Sequence, residues 1–203
     1  MEDGVMAEQE RPAGRRRRDP EWTYGVLVDA LLSLVTEQNR IPTSKAIAER
    51  AGVSERSVFV HFADREALYE AGAVRQAERW KALAAPVPPG WTTSRKAAAL
   101  MRQRERMYEL MTPIRLIGLG LEPESPGLRR VMAQGDRWFR DDLAAAFAPE
   151  LAGVRGAAGA GGLLDALDAA ASWASWNHLR ARRGLSAAHA RRAVTRTLLA
   201  LLG

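Results

Sequence analysis

The sequence predicts an all-α chain, with a three-helix helix-turn-helix module at the N-terminal end and a larger helical domain after it. Three observations predict it. Strand-like alternation is absent, and Ala, Leu, Arg and Glu dominate. Apolar residues recur at helical spacing along several long stretches. The segment 43–62, TSKAIAERAGVSERSVFVHF, reads as a helix, a tight glycine turn and a short second helix. In it Ala48 is small enough for a close helix crossing, Gly52 suits a turn residue with positive φ, and Ser54 is a good N-cap. Ile47, Val53 and Val58 fall where they can share one small core. In this motif the second helix enters the DNA major groove.

The elements follow in order. The first predicted helix spans 20–37, with Val26, Leu27, Ala30, Leu31, Leu34 and Val35 at helical spacing, and 39–42 breaks it. The second begins at Thr43 or Ser44 and ends by Ala51; the third covers 54–61. Asp64 caps a fourth, carrying Leu68, Tyr69 and Val74, which ends before Pro86 in the stop signal PVPPG. The region 92–111 reads as a fifth helix and 113–119 as a short sixth. Ser125 and Pro126 supply an N-cap and an N1 proline for a seventh that runs to Phe147. The Ala/Gly-rich stretch 152–162 reads as a loop. An eighth helix spans 163–183, Gly184 ends it, and a ninth runs from Ser186 to the last residue.

With 203 residues, 47% of them hydrophobic, the chain has material for one large domain or two small ones. It has no cysteine, which excludes disulfides and cysteine metal sites. His61, His178 and His189 lack ligand-like spacing, so neither a metal nor a cofactor is expected. No Gly-rich phosphate loop, His-Glu-x-x-His motif or nucleophile–base pair is present, so the chain does not read as an enzyme. No apolar run approaches a membrane span, and the N-terminal arginines precede no hydrophobic segment, so a cytoplasmic location is expected. The net charge of +6 suits a polyanion. Arg11 and the four arginines at 15–18 lie in a polar leader that cannot bury enough apolar surface to fold alone. It is either a solvated tail or a basic arm that reaches phosphate or a minor groove.

The stretch VFVHFADREALYEA is the most specific signal in the chain. Together with AIAERAGVS at 46–54 it resembles the TetR family of bacterial transcriptional regulators. In that family the recognition helix ends in an aromatic, a variable residue and His-Phe, before a capped fourth helix that opens on a basic residue. Phe59, Val60, His61, Phe62, Asp64 and Arg65 stand at those positions. The strong likeness covers 26–70, and beyond it helix number and order agree. Two departures matter. The family often has tyrosine where Phe59 stands, which removes a hydroxyl that would bond phosphate. Its loop before the second helix often reads Gly-aromatic-Thr, where this chain has Arg40, Ile41, Pro42 and Thr43.

The resemblance divides the chain into a basic arm (1–19), a DNA-binding domain (20–65) and a regulatory and dimerisation domain (66–203). The expected DNA-binding residues are Thr43, Ser44, Lys45, Ser54, Arg56, Ser57, Phe59, His61 and Arg65. Ser44 and Lys45 open a helix whose amide end suits phosphate. Arg56 can bond guanine O6 and N7 together. Glu55 either accepts from cytosine or favours its own helix N-terminus. Phe59 is divided between packing and the DNA wall, and Phe62, Val53 and Val58 are core.

In the larger domain Leu163, Leu164, Leu167, Ala170, Ala171, Ala174 and Ala181 form one stripe, while Trp173, Trp176 and Leu179 lie elsewhere on the wheel. Ala190, Val194, Leu198 and Leu201 line the last helix. The resemblance implies a four-helix dimer interface, with Trp173, Trp176, Leu179, Val194 and Leu198 as its candidates. The alternative is a monomer with a deeply buried eighth helix. Arg104 falls mid-face among Ala97, Leu100, Met101, Met107, Tyr108 and Met111. Asp142 falls likewise among Leu128, Val131, Met132, Gly135, Trp138 and Phe139. Buried charges need partners. The candidate ligand-binding residues are therefore Met101, Arg104, Tyr108, Met111, Trp138, Asp142, Asn177 and His178, in a cavity among the fifth, seventh and eighth predicted helices. The alternatives are an Arg104–Asp142 ion pair in a filled core, or an arginine that snorkels to solvent.

The expectation is thus a homodimeric, sequence-specific regulator on a palindromic double-stranded operator. It would act as a repressor released by a partly hydrophobic small molecule, with no membrane partner. A ligand-independent architectural or protein-interaction DNA-binding protein is the competing reading. The ligand, the operator and the sign of regulation are not readable from the sequence.

Overall fold

The computed structural model describes residues 19–203, all of it helix and connections. Apart from Asp19, the arm with its arginines lies outside the described residues. The elements are α1 (Pro20–Gln38), α2 (Ser44–Ala51), α3 (Glu55–His61), α4 (Arg65–Lys81), α5 (Thr93–Leu121), α6 (Pro126–Ala146), α7 (Ala148–Ala152), α8 (Ala157–Ala171), α9 (Trp173–Asn177), a π-helical turn (His178–Arg182) and α10 (Ala187–Leu202).

Local chemistry sets most of the helix starts. Asp19 caps α1 ahead of Pro20, and Asn39 ends it in the left-handed region at φ 49°. Side chains of Thr43, Ser54, Asp64, Thr92, Ser125, Ser172 and Ser186 accept from backbone amides at the starts of α2, α3, α4, α5, α6, α9 and α10. Gly52, at φ 68°, makes the turn between α2 and α3.

Two apolar cores meet along α4. Leu27, Leu31, Ile47, Val58, Phe62 and Leu68 belong to the first. Trp80, Leu100, Met107, Phe139, Trp176 and Leu198 belong to the second. The start of α4 therefore packs with the N-terminal helices and its end with the larger bundle. Gly72 sits between: a β-carbon there would stand 2.8 Å from Leu31 Cδ2, so the glycine lets α1 and α4 close up.

Three expectations are corrected. First, 92–111 and 113–119 are one helix, α5, with Pro113 inside it. A mid-helix proline costs roughly 3 kcal/mol, and α5 offsets this by packing against α1, α4, α6 and α10. Second, 152–162 is not a loop. The link is only 153–156, where Gly156 takes φ 78°, and α8 starts at Ala157. The alanines favour helix, and the run leads into the buried Leu167. Third, 163–183 is not one helix. Ser172, at φ −66° and ψ 157°, ends α8 and caps α9. Arg104 Nη1 and Tyr108 Oη both donate to the carbonyl of Ala171, at 3.1 and 2.6 Å. They take the place of the helix amide that would have continued the ladder.

That break redirects the tryptophans. Trp173 donates its indole N–H to Thr112 at 2.9 Å and Trp176 donates to Glu109 at 3.2 Å, both on α5. Trp173, Trp176, Val194 and Leu198 are 6%, 1%, 4% and 0% exposed and lie in the chain's own core. Within the single chain Trp173, Trp176 and Leu198 are taken up by this core and offer little area to a partner, whereas Val194 reaches the surface at its edge. Of the five, Leu179 and Val194 line an open groove.

Candidate nucleic-acid interface

The helix-turn-helix is held as one body by polar contacts as well as by its core. Arg50 on α2 donates to Glu37 on α1 through two bonds of 2.7 Å, and to Ser33 at 2.6 Å. The hydrogen bonds from Arg50 and then Ser33 hold the Glu37 carboxyl down at about 2. Tyr24 packs its ring on Phe62, with centroids 4.9 Å apart. α3 is thereby fixed from behind, with Val58 and Phe62 buried and Val53 half-buried.

The opposite side of α3 is free. Glu55, Arg56, Phe59 and Val60 are exposed, and Phe59 and Val60 keep 60% and 70% of their surface. An exposed Phe-Val pair beside an arginine suits an apolar contact to a thymine methyl next to a guanine. Val60 was not among the sequence candidates. Its signal was available, because it lies four residues after Arg56 and so on the same face. Phe59 is more exposed than the division between packing and DNA wall implied.

The hydroxyls have local work as well. Thr43 Oγ1 accepts from the Ala46 amide at 3.2 Å, leaving its own proton to donate. Ser54 and Ser57 share a hydrogen bond of 2.8 Å, and Ser54 also accepts from the Ser57 amide at 3.3 Å. Lys45 is exposed at the start of α2, Ser44 is half-buried beside it, and His61 is half-buried at the end of α3. Arg65, in the first turn of α4, donates to Tyr69 Oη at 3.0 Å and lies over its ring. The nine residues thus fall at the start of α2, along α3 and at the start of α4, next to one another in the fold.

The proposed ligand residues are not gathered in this way. Met101, Arg104 and Tyr108 are 0% exposed, so no space the size of a water adjoins them. Arg104 Nη2 lies 3.5 Å from Asp142 and also donates to the Phe139 carbonyl at 2.5 Å. Burial raises the Asp142 carboxyl, and the neighbouring guanidinium only partly offsets this. Burial also raises the Tyr108 phenol. The cavity expected here is thus corrected to a filled core crossed by an ion pair. Trp138 packs edge-on to Trp80 and Phe139, with centroids 5.2 Å away in each case. Asn177 is half-buried, and His178 is exposed on the other side of the bundle, in the groove with Leu179. Met111 borders a small cavity between α4, α5 and α6.

That groove holds about 450 Å³ between α8–α9 and α10, and its walls are Ala170, Ala174, Ser175, Ala193 and Thr197 beside Leu179 and Val194. Small side chains on two adjacent helices leave room for close approach by another helix pair. Among the described residues no helix is long and apolar enough to cross a membrane.

Residues 42–71 match the family model described as "Bacterial regulatory proteins, tetR family". No curated protein matches the chain. Among solved structures, the fold is similar to a transcriptional regulator from Rhodococcus sp. Rha1, at 19% identity and a TM-score of 0.65, over 91% of this chain and 96% of that one. It is similar as well to a protein from Rhodococcus sp. described as a TetR-family transcriptional regulator, at 17% identity and a TM-score of 0.69, over 90% and 100% of the two chains. A third is the multidrug binding protein EbrR in complex with imidazole, at 22% identity and a TM-score of 0.57, over 86% and 93%.

Proposed function

We propose that this chain, whose helix-turn-helix segment is that of the tetR family of bacterial regulatory proteins and whose fold is that of TetR-family regulators, is a homodimeric operator-binding repressor released by a small molecule. The observation that carries the DNA reading is α3: rigidly backed, with Arg56, Phe59 and Val60 on its free face. Arg56 reads a base. Lys45, Ser44, Thr43, His61 and Arg65 hold phosphate, and Ser54 and Ser57 set the helix start. The division of the chain runs along α4, between a DNA-binding domain and a regulatory one.

The dimer reading moves to the alanine-walled groove between α8–α9 and α10. Two copies joined there would present two α3 helices to a two-fold operator. Release requires a ligand that prefers the non-binding spacing by about 5 kcal/mol. The relative EbrR is named for binding drugs, and its likeness lends support to a small-molecule effector here. The filled core around Arg104 favours a second reading, a DNA-binding protein that needs no ligand.

Selection from random duplexes at near-physiological salt, followed by sequencing, tests the proposal. A two-half-site palindrome is expected. Binding without sequence preference that vanishes with added salt would favour an architectural role, and no binding would overturn the DNA reading.

A further inference from the structure

Three spaces run in series beside α4. The outermost is a cleft of about 300 Å³ where the loop before α2, the start of α4 and the α5–α6 connection meet, bordered by Ile41, Arg65, Glu66, Glu124 and Ser125. Its inner wall, Tyr69, Leu121 and Leu128, is also the outer wall of a second space of about 30 Å³. Ala73, Ile114 and Met132 are shared in turn between that space and a third of about 30 Å³, which ends at Gln76, Trp80 and Arg115. The middle space is lined by Leu31, Leu32 and Val35 of α1, as well as by residues of α4, α5 and α6. It therefore touches the DNA-binding module directly.

Mid-helix glycines mark this line. Gly72 and Gly118 border the middle space and Gly135 the inner one. Each costs its helix about 1 kcal/mol relative to alanine. At Gly72 the close approach of Leu31 accounts for the absence of a side chain. At Gly118 a β-carbon would stand 3.4 Å from Met132 Cε, and at Gly135 3.6 Å from Trp80 Cζ2. Those distances are ordinary contact, so alanine would fit at both places. The space is kept narrow by the thioether tip of Met132, a side chain that moves easily.

We infer that this series of spaces is the effector site, and that it takes a single-chain amphiphile: an alkyl chain in the apolar channel, and a head that donates hydrogen bonds in the outer cleft. The inference rests on the ligand-responsive reading above. Channel and cleft differ in chemistry as the two ends of such a molecule do. The middle space is walled by apolar side chains, with Tyr69 at its outer end, whereas the cleft carries two carboxylates and one guanidinium. Ser125 already donates to Glu66 at 2.7 Å, and Arg65 is turned to Tyr69. Glu66 and Glu124 thus offer acceptors to a donor head and repel a carboxylate. At about 30 Å³ each, the two inner spaces hold an alkyl chain only if Met132 and the helices around them shift, α1 and α4 against α5 and α6. Occupancy is therefore linked to the position of the helices that carry α3 and Arg65.

Calorimetric titration of the full chain with 1-decanol, decylamine and decanoate below their micellar thresholds tests this, beside titration onto the selected operator. Decanol and decylamine are expected to bind, decanoate at least tenfold more weakly. Affinity should rise about fourfold per added methylene over a homologous alcohol series. Both binders should release the operator. Gly118→Leu fills the channel and should abolish amphiphile binding while operator binding persists. If that variant fails to fold, Gly118→Ala should still weaken binding severalfold. Binding that is indifferent to both substitutions, or no binding by a chain that holds its operator, overturns the inference and leaves the regulator reading intact. Loss of operator binding altogether defeats the regulator reading, and calorimetry still scores the site.

Discussion

Arg104 and Tyr108 stand one turn apart on α5 and donate to the same acceptor, the Ala171 carbonyl, at the point where α8 stops. That carbonyl is the orphan left by the Ser172 break, and the two donors are what make a break tolerable in a buried place. Arg104 also reaches Phe139 O and Asp142, so one guanidinium ties α5 to α6 and α8. Tyr108→Phe should cost about 1 kcal/mol, since Ala171 keeps its second donor. Arg104→Met should cost roughly 3–5 kcal/mol, because Asp142 loses its cation. Urea denaturation of both variants checks the order, and equal losses would refute this division of labour.

Lys96 is 1% exposed and donates to Glu150 on α7 at 3.0 and 3.1 Å. Burial pushes the Glu150 carboxyl up, but hydrogen bonds from Lys96, from backbone and from Thr93 outweigh it, and the net shift is downward. A carboxyl depressed in the folded state contributes stability that is present above its ordinary pKa and lost as pH falls through the depressed one. Stability should therefore decline on acidification below the ordinary glutamate range, and Lys96→Met should flatten that decline. At neutral pH the variant should be less stable by about 3 kcal/mol, the cost of a half-buried carboxylate left unpaired. Denaturation midpoints across an acid series supply the measurement.

Arg56 is exposed on α3, and Lys45 stands at the start of α2. The first geometry suits a base edge and the second a phosphate. Arg56→Ala should cost about 1–3 kcal/mol on the preferred site and relax preference at one base pair per half-site. Lys45→Ala should weaken all sequences alike and lower the salt slope by about one per subunit. Anisotropy titrations on the selected duplex and its single-base variants, at several salt concentrations, separate the two roles. Identical behaviour of the two variants would remove the distinction.

Much of this architecture was legible because it is local. Ser54, Asp64, Ser125 and Ser186 were readable as starts, and Gly52 and Gly184 as stops, because a cap acts over three or four residues. The face of α3 followed from its 3.6-residue period. Ser172 was not legible: inside an alanine-rich run it reads as a helix interior, and the groups that stabilise the break lie on α5, more than sixty residues earlier. Pro113 misled in the opposite sense, since packing on α5 overrides its cost. Trp173 and Trp176 followed from Ser172. Once the helix was drawn as continuous, their phase pointed outward, and only the break turns them inward. Arg104 and Asp142 were legible as charges in need of partners, and the sequence left open whether they faced a cavity or each other.

The break also fixes what a dimer contact can use. Trp176 is 1% exposed, whereas Ala174, two positions earlier, is exposed on the wall of the groove with Ala170, Ala193 and Thr197. An arginine at position 174 would place a long charged side chain where a facing helix must approach closely, and would leave the chain's own core untouched. Ala174→Arg should therefore halve the mass seen by light scattering, with less than about 0.5 kcal/mol change in the stability of the monomer unit, as for a surface substitution. Trp176→Ala should do the reverse, costing about 3–5 kcal/mol by opening a core cavity. Operator binding should fall steeply in Ala174→Arg, since a monomer engages only one half-site. If Ala174→Arg keeps the wild-type mass and operator affinity, the groove is not where two copies meet.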